Sequence, residues 1–233
     1  MIVFNGVDFT ETFPVKIDDI VVSPIQLDPV ARPRAIKFGA EFIRMKGDTR
    51  TVTVTFALLE SDIDERESIM QDLREWANIG KEYTLELPQF TNKHLECAVT
   101  QLPDHSYRKW WENKLQLQFT CFNNPFWTSN QQIEVPCGTL FSIGGSAQPL
   151  MQITRNGSTS LANQKYSDGS NTMTFTQIPS GSLVIDLNRQ TAAIGSTSIM
   201  KYYSPTSKWI VPKIGANQKI TGAGTVRYRE RWV

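Results

Sequence analysis

The sequence has 233 residues, of which 40% are hydrophobic and 20% are charged. This apolar content is sufficient for a hydrophobic core and excludes a wholly disordered chain. A net charge of +1 excludes a generally basic nucleic-acid binder and an acidic tail. Three cysteines are an odd number for a secreted disulfide scaffold, and they indicate reduced thiols in a cytosol.

No export or membrane segment is predicted. The first ten residues include Asp8 and lack the basic residues of a secretory signal. No stretch approaches the roughly 20 apolar residues that a membrane helix needs. We therefore expect a protein that is made in soluble form and does not insert into a membrane.

Charge is distributed unequally along the chain. Residues 1–133 carry 14 Lys and Arg against 19 Asp and Glu, a net charge of −5, and residues 134–233 carry 10 against 4, a net charge of +6. Ten of the fourteen glycines also lie in the second part. We expect two domains, 1–133 and 134–233, whose opposite charges meet neighbours in an assembly; chance scatter of surface charge is the alternative.

The first part opens with a predicted hairpin. Ile2–Phe4 and Val7–Phe9 flank Asn5-Gly6, a dipeptide that suits a type I′ turn because both central residues need a positive φ. Lys16–Val22 is predicted to be the next strand, ending before Pro24. The chain therefore begins with β-structure.

A proline-containing segment, Gln26–Phe42, follows. It carries three basic residues, Arg32, Arg34 and Lys37, between Pro29 and Gly39. We interpret it as a long arm or loop, and a loop of this length in a compact domain usually has a function or reaches a partner.

Arg50–Phe56 alternates apolar and threonine side chains and predicts a half-buried strand. A helix is predicted from about Asp62 to Asn78, with Ser61 or Asp62 capping its first turn and Gly80 ending it. Its predicted apolar stripe, which we expect to pack on a sheet, consists of Ile63, Met70, Leu73, Trp76 and Ala77.

Further strands complete the prediction. In the first part they are Tyr83–Leu87, Leu95–Gln101 and Trp110–Phe122, which makes this part a mostly antiparallel sheet or sandwich with one helix. The second part has no convincing helix and is predicted to be a β-sandwich of short strands. The candidates are Gln132–Val135, Thr139–Ile143, Leu150–Thr154, Thr172–Phe175, Ser182–Asp186, Thr191–Ile194, Trp209–Val211, Gln218–Ile220 and Thr225–Trp232.

The sequence contains no constellation typical of catalysis, a cofactor or a metal. His94 lies near Cys97, but neither the spacing nor a further ligand supports a dyad or a metal site, and Cys97 and Cys121 are expected to be buried thiols. The adjacent Asp18 and Asp19 point to opposite faces of a strand, so they make a poor acid/base pair. Gly144-Gly145 is followed by neither a Lys-Ser nor a Lys-Thr pair, so no phosphate loop is predicted.

Two binding alternatives remain open. Arg227–Trp232 mixes arginines with aromatic residues, as single-stranded nucleic-acid sites do, although an amphipathic terminal strand with its aromatic side packed is the simpler interpretation. Exposed aromatic residues of the second part can stack on sugar rings, although core packing is their more common fate. The candidates for a sugar platform are Tyr166, Tyr202, Tyr203 and Trp209.

The order of these features resembles the distal tail proteins of long-tailed, non-contractile bacteriophages. The closing strand, with its Tyr-Arg-Glu-Arg-Trp sequence after a glycine-rich turn, is the most specific of them. The matching segments are FNGVDF, the arm, RTVTVTFALL followed by the helix with Arg66, Leu73 and Trp76, CFNNPFW, SGSLVIDLNRQTA at Ser180–Ala192, and GTVRYRERWV at Gly224–Val233.

This resemblance implies a mainly β fold, with a β-rich N-terminal domain carrying one helix and a C-terminal galectin-like β-sandwich. It also implies a non-enzymatic hub at the virion tail tip, assembled in the bacterial host cytoplasm as a hexameric ring. The implied partners are the tail tube protein, the tail-tip or lysin protein, receptor-binding proteins and the tape-measure protein. No cofactor and no nucleic-acid specificity are implied.

The arm is our candidate for the contact between subunits. Its Arg32, Arg34 and Lys37 are expected to pair with the acidic remainder of a neighbouring N-terminal domain. The alternatives to a structural hub are a carbohydrate-binding module for host-surface attachment and a hydrolase, for which no catalytic constellation is present.

Overall fold

The computed structural model describes residues 1–33, 40–47, 49–60, 62–77, 80–103 and 114–233, with the backbone alone for 27–33 and 40–47. The chain divides into two compact units, Met1–Trp127 and Thr128–Val233. The boundary expected from composition, near Ile133, lies a few residues after this division. Antiparallel strands dominate both units, so the predicted mainly β class is confirmed.

The strands of the first unit form two connected antiparallel ladders. In chain order the elements are β1 (Val3–Phe4), β2 (Val7–Asp8), α1 (Phe9–Thr12), β3 (Val15–Val22), β4 (Leu27–Pro33), β5 (Ala40–Gly47), β6 (Arg50–Leu58), α2 (Ile63–Ala77), β7 (Tyr83–Glu86), β8 (Lys93–Gln101) and β9 (Leu115–Cys121), and then β10 (Trp127–Ser129). The first ladder has the strand order β2-β1-β7 and the first half of β8, and the second has the second half of β8 followed by β9-β6-β3.

Local sequence explains the entry hairpin. Asn5 and Gly6 have φ values of 53° and 75°, and Val3 pairs with Asp8, so the predicted hairpin is confirmed. Asp8 then caps α1 by accepting a hydrogen bond from the Thr10 amide at 2.8 Å. The hairpin and α1 together bring Phe4 and Phe9 into the core.

Helix α2 begins as predicted, because Asp62 accepts hydrogen bonds from the amides of Asp64 and Glu65 at 2.9 and 3.2 Å. Its buried face contains Met70, Leu73 and Ala77, but Ile63 is 46% exposed, so the predicted stripe is wrong at its first residue. Arg66 is buried one turn later, where its aliphatic stem extends the apolar face.

An aromatic cluster fills the core of the first unit. Phe4 lies at its centre, with ring centroids 5.4 Å from Trp76, 5.6 Å from Tyr83 and 5.1 Å from Phe119. Trp76 also contacts Phe9 and thereby joins α2 to α1. Edge-to-face and tilted aromatic pairs stabilise a core beyond the area that they bury.

The second unit is a β-sandwich. Its strands are β11 (Ile133–Pro136), β12 (Leu140–Ile143), β13 (Ala147–Gly157), β14 (Leu161–Ser167), β15 (Thr172–Ile178), β16 (Gly181–Asp186), β17 (Thr191–Ile194), β18 (Thr197–Ser198), β19 (Gly215–Lys219) and β20 (Thr225–Trp232). One layer has the strand order β18-β17-β16-β13-β20-β11, and the other contains the pairs β12-β19 and β14-β15.

Inward side chains of both layers form one core. Ile153 and Val226 come from the first layer and Met173 and Phe175 from the second, and all four are fully buried. Two sequence predictions need correction here. Strand β14 was not predicted, and Trp209–Val211 is not a strand but part of an irregular segment.

Among the described residues, no helix combines the length and apolarity that a membrane span requires.

Candidate functional site

The predicted arm is a β-hairpin rather than a loop. β4 and β5 pair from Leu27 opposite Gly47 to Pro33 opposite Ala40, with an irregularity between Val30 and Ala31. Prolines are compatible with a strand where the missing N–H would point away from the ladder, as on one side of a two-stranded pair. The expectation of an irregular loop over Gln26–Phe42 is therefore wrong for the two strands.

The three candidate interface residues are only partly described. Arg32 lies in β4, with its Cα opposite that of Glu41 in β5. Arg34 and Lys37 lie outside the described residues. The structure therefore describes the two strands of the arm, and the role of its three basic residues stays a prediction.

The outward face of α2 is strongly acidic. Glu60 and Glu65 lie close enough to share a proton, and the hydrogen bond with Glu60, together with its charge, raises the pKa of Glu65 above 4.5. Leu59 and Ile63 add exposed apolar area beside these carboxylates. The exposed acidic residues of this surface are Asp62, Asp64, Glu65, Glu67, Asp72 and Glu75.

The histidine and cysteines that the sequence offers for catalysis are core residues wherever the structure describes them. His94 is buried in β8, and Cys97 and Cys121 are fully buried, as expected for core thiols. The second histidine of the sequence, His105, lies outside the described residues. Within the described ranges, no group of three or more His, Cys, Asp or Glu side chains could hold a metal ion.

The arginines of the closing strand β20 make contacts within their own unit. Arg229 Nη1 donates hydrogen bonds to the carbonyl oxygens of Ser129 and Asn130 at 2.9 and 2.8 Å, and Arg227 Nε lies 2.9 Å from Glu134 Oε1. Tyr228 is buried on the opposite face and donates to the Ser142 carbonyl oxygen at 2.9 Å. The prediction of an amphipathic terminal strand is confirmed for these residues, whereas Trp232 is only half-buried.

The paired glycines pack closely on the same strand. Gly144 N donates to Glu230 Oε1 at 2.6 Å. Gly145 has a φ of 94°, and a Cβ there would lie 2.2 Å from the Arg231 carbonyl oxygen. The Gly144-Gly145 pair therefore has a structural explanation in the close approach of two backbones.

The four residues proposed as a sugar platform do not form one surface. Tyr166 is fully buried, and its hydroxyl donates to the Ala223 carbonyl oxygen. Tyr203 and Trp209 are half-buried and stack on each other at a centroid distance of 5.0 Å, so each covers one face of the other. Tyr202 lies beneath the Lys201 ammonium, which is 4.9 Å from its ring centroid.

The chain segment that carries this aromatic stack is rich in exposed lysines, and we call it the lysine-rich surface. Lys201, Lys208 and Lys213 are exposed along the irregular segment that contains Trp209, and Val211 and Ile214 are exposed beside them. Sequence reasoning missed this surface because Trp209–Val211 had been predicted to be a strand. Its chemistry, cationic with apolar patches, suits a protein or polyanionic partner better than a catalytic role.

The fold is found in a solved phage protein. The Dit protein (gp 19.1) of phage SPP1, described as a paradigm of the hub adsorption apparatus in phages that infect Gram-positive bacteria, is 15% identical, with a TM-score of 0.77 over 100% of this chain and 98% of that chain. The phage P2 baseplate in its activated conformation with Ca also matches, with 11% identity, a TM-score of 0.49 and coverage of 100% and 97%. No protein-family model and no curated protein matches the sequence. This chain therefore has the fold of a phage distal tail protein over its whole length, as the sequence resemblance predicted.

Proposed function

We propose that this protein is the structural hub at the tip of a long non-contractile phage tail, where six copies form a ring. The observation that carries this proposal is the match of both units, in order and over the full chain, to the SPP1 Dit hub protein. The sequence resemblance supports it independently, because its most specific segment is the closing strand β20. The protein acts by shape and assembly and performs no catalysis.

Strand β3 supports a ring built by strand-to-strand contact. Among the described strands, β3 pairs only with β6, and the edge of a strand that has no partner offers N–H and C=O groups to a strand of another copy. A bulge between Ile17 and Asp19, with both aspartates there exposed, interrupts the first half of this edge. We place the contact at the regular half, Ile20–Val22, where Val21 is 53% exposed.

Charge supports a head-to-tail arrangement of copies. The arm carries Arg32, Arg34 and Lys37, and the outward face of α2 carries the acidic residues described above. A cyclic contact between a basic element of one copy and an acidic face of the next is heterologous and closes into a ring if the rotation permits. We therefore assign the arm to the acidic helix of the neighbouring copy.

The ring joins the tail tube protein to the tail-tip or lysin protein and to receptor-binding proteins, with the tape-measure protein as a further partner. The first unit forms the ring, and the second unit, a galectin-like sandwich in this proposal, faces outward with its lysine-rich surface. The protein is assembled in the host cytoplasm and resides at the virion tail tip.

Antibody labelling of phage particles tests this location. Antibodies raised against the second unit should label the tail tip of intact virions, and purified virions should contain the chain in six copies relative to a tail-tip protein of known copy number. Labelling along the tail or on the capsid, or absence of the chain from virions, would reject the proposal.

Carbohydrate binding by the second unit is the competing function. The half-buried Tyr202, Tyr203 and Trp209 favour it, and the mutual coverage of Tyr203 and Trp209 argues against it. A lectin should bind cell-wall sugars on an array, lose binding in Trp209→Ala and keep most of it in Trp209→Phe. We expect no binding by the unaltered chain.

A further inference from the structure

Two cysteine thiols meet on neighbouring strands in the core of the first unit. Cys97 directly precedes Ala98, which pairs with Thr120, and Cys121 directly follows Thr120. Both side chains are fully buried, and the two thiols are hydrogen-bonded to each other. Residues facing each other across antiparallel strands have Cα atoms about 4.5–5.5 Å apart, within the range of about 4.4–6.8 Å found across disulfides. The strand pairing therefore brings the two sulfurs within bonding reach.

Arg50 provides a positive charge next to this pair. Its Cα lies opposite that of Cys121 in the β6–β9 ladder, and its side chain is only 4% exposed. Its Nε and Nη1 have no hydrogen-bond partner in the part of the chain that the structure describes. A buried guanidinium with unused donors favours an anion beside it, and a thiolate is the form of cysteine that reacts with oxidants.

The two thiols have different surroundings. The hydrogen bond with Cys121, followed by burial and the charge of Glu82, raises the pKa of Cys97. Cys97 therefore stays protonated, whereas Cys121 adjoins the arginine. Cys121 is consequently the first nucleophile of the pair.

The pair lies where a strand ends. Cys121 is the last residue of β9, and Arg50 is the first residue of β6. Strand ends open locally at a lower free energy than the middle of a ladder, so a small oxidant can reach Cys121 without global unfolding.

We propose that Cys97 and Cys121 form a reversible intrachain disulfide when the protein meets a small peroxide. The Cys121 thiolate attacks one peroxide oxygen, the O–O bond breaks, and a sulfenic acid forms while hydroxide leaves and takes up a proton. The Cys97 thiol then attacks the Cys121 sulfur, the S–S bond forms, and the S–O bond breaks, and the second hydroxide that leaves takes up the proton released from the Cys97 thiol. Two thiols lose two electrons in total, and one hydrogen peroxide is reduced to two waters.

Counting thiols on the purified full-length chain tests the proposal. After treatment with hydrogen peroxide, the chain is unfolded, alkylated with N-ethylmaleimide and weighed by mass spectrometry. The reduced chain should take three adducts, matching its three free cysteines, and the oxidised chain one. A tryptic map should link the peptides of Cys97 and Cys121, and a thiol reductant should restore all three. Three adducts after oxidation, separate sulfinic acids, or a link through Cys137 would overturn it.

Variants separate the roles of the residues. Cys137→Ser should still form the link, whereas Cys121→Ser should form none. Arg50→Met should slow disulfide formation about tenfold, the change in thiolate fraction that one pKa unit gives, and Arg50→Lys should restore most of the rate. Equal rates in Arg50→Met and the unaltered chain would remove Arg50 from the mechanism. If Arg50→Met does not fold, the rate of Arg50→Lys and the thiol count on the unaltered chain still decide the proposal.

Discussion

The two units use their charged residues differently. In the first unit, acidic side chains stand exposed on α2, and one of them, Glu65, is crowded by Glu60, which lies just before the helix. In the second unit, Arg227 and Arg229 are engaged within the fold, by Glu134 and by backbone carbonyls, while its lysines stand exposed. Net charge alone therefore overstates the cationic surface of the second unit, and its exposed lysines, with the exposed Arg189, are the charges available to a partner.

Deletion of Asp28–Phe38 is the change with the largest expected effect on this comparison. It removes the basic arm and leaves the acidic helix without its proposed counterpart. We expect folded monomers by light scattering where the full chain, co-expressed with its tail partners, forms rings. Lys165→Glu, a charge reversal on the second unit, is the control and should leave rings intact. Rings that persist after the deletion would end the role of the arm.

Core truncations show whether each unit is stabilised by its own core. Phe4→Ala in the first unit and Phe175→Ala in the second each remove a fully buried aromatic ring. We expect each to lower the free energy of unfolding of its own unit by about 3–5 kcal/mol. Hydrogen exchange should show faster opening in the altered unit alone. Equal acceleration in both units would mean that they unfold as one.

Arg229→Ala tests whether the arginines that are hydrogen-bonded within the second unit stabilise it more than its exposed lysines do. It removes two hydrogen bonds from a charged donor to backbone carbonyls, so we expect a loss of about 1–2 kcal/mol in chemical denaturation. Lys208→Ala, at an exposed position, should change stability by no more than about 0.5 kcal/mol. Similar losses in both variants would contradict this difference.

Glu60→Gln has the smallest expected effect and tests the crowding on α2. The pKa of Glu65 should fall towards 4.5 in an NMR titration, whereas Glu75→Gln should leave it unchanged. Because folding raises the pKa of Glu65, this group favours the folded state at low pH, and that contribution is lost as the pH rises through the raised pKa. An unchanged pKa in Glu60→Gln would show that the two carboxyls do not interact.

Short sequence patterns correctly predicted the elements whose conformation is set by residues next to one another in the chain. The alternation from Arg50, the cap at Asp62 and the Asn5-Gly6 turn each specify their own conformation, and all three are observed. Strand β14 was missed because its sequence, LANQKYS, is mostly polar and Asn163 interrupts it with a φ of 49°. Trp209–Val211 was assigned wrongly because apolar residues that anchor an irregular segment resemble a short strand.

Contacts between residues that are distant in the sequence could not be predicted from local sequence patterns. The thiol contact of Cys97 with Cys121 depends on the register of β8 against β9, and burial of Arg50 depends on both strands beside it. Similarly, the engagement of Arg229 requires the turn at Ser129 to lie beside β20. Register and long-range pairing are set by the whole sheet, so no short window of the sequence contains them.

Electron microscopy of the chain co-expressed with its neighbour-encoded tail proteins tests the central claim most directly. The account predicts particles whose class averages show a six-fold ring, with the first unit around the axis and the second unit outside. Monomers that never enter a ring in the presence of those proteins, or a ring of different symmetry, would contradict it.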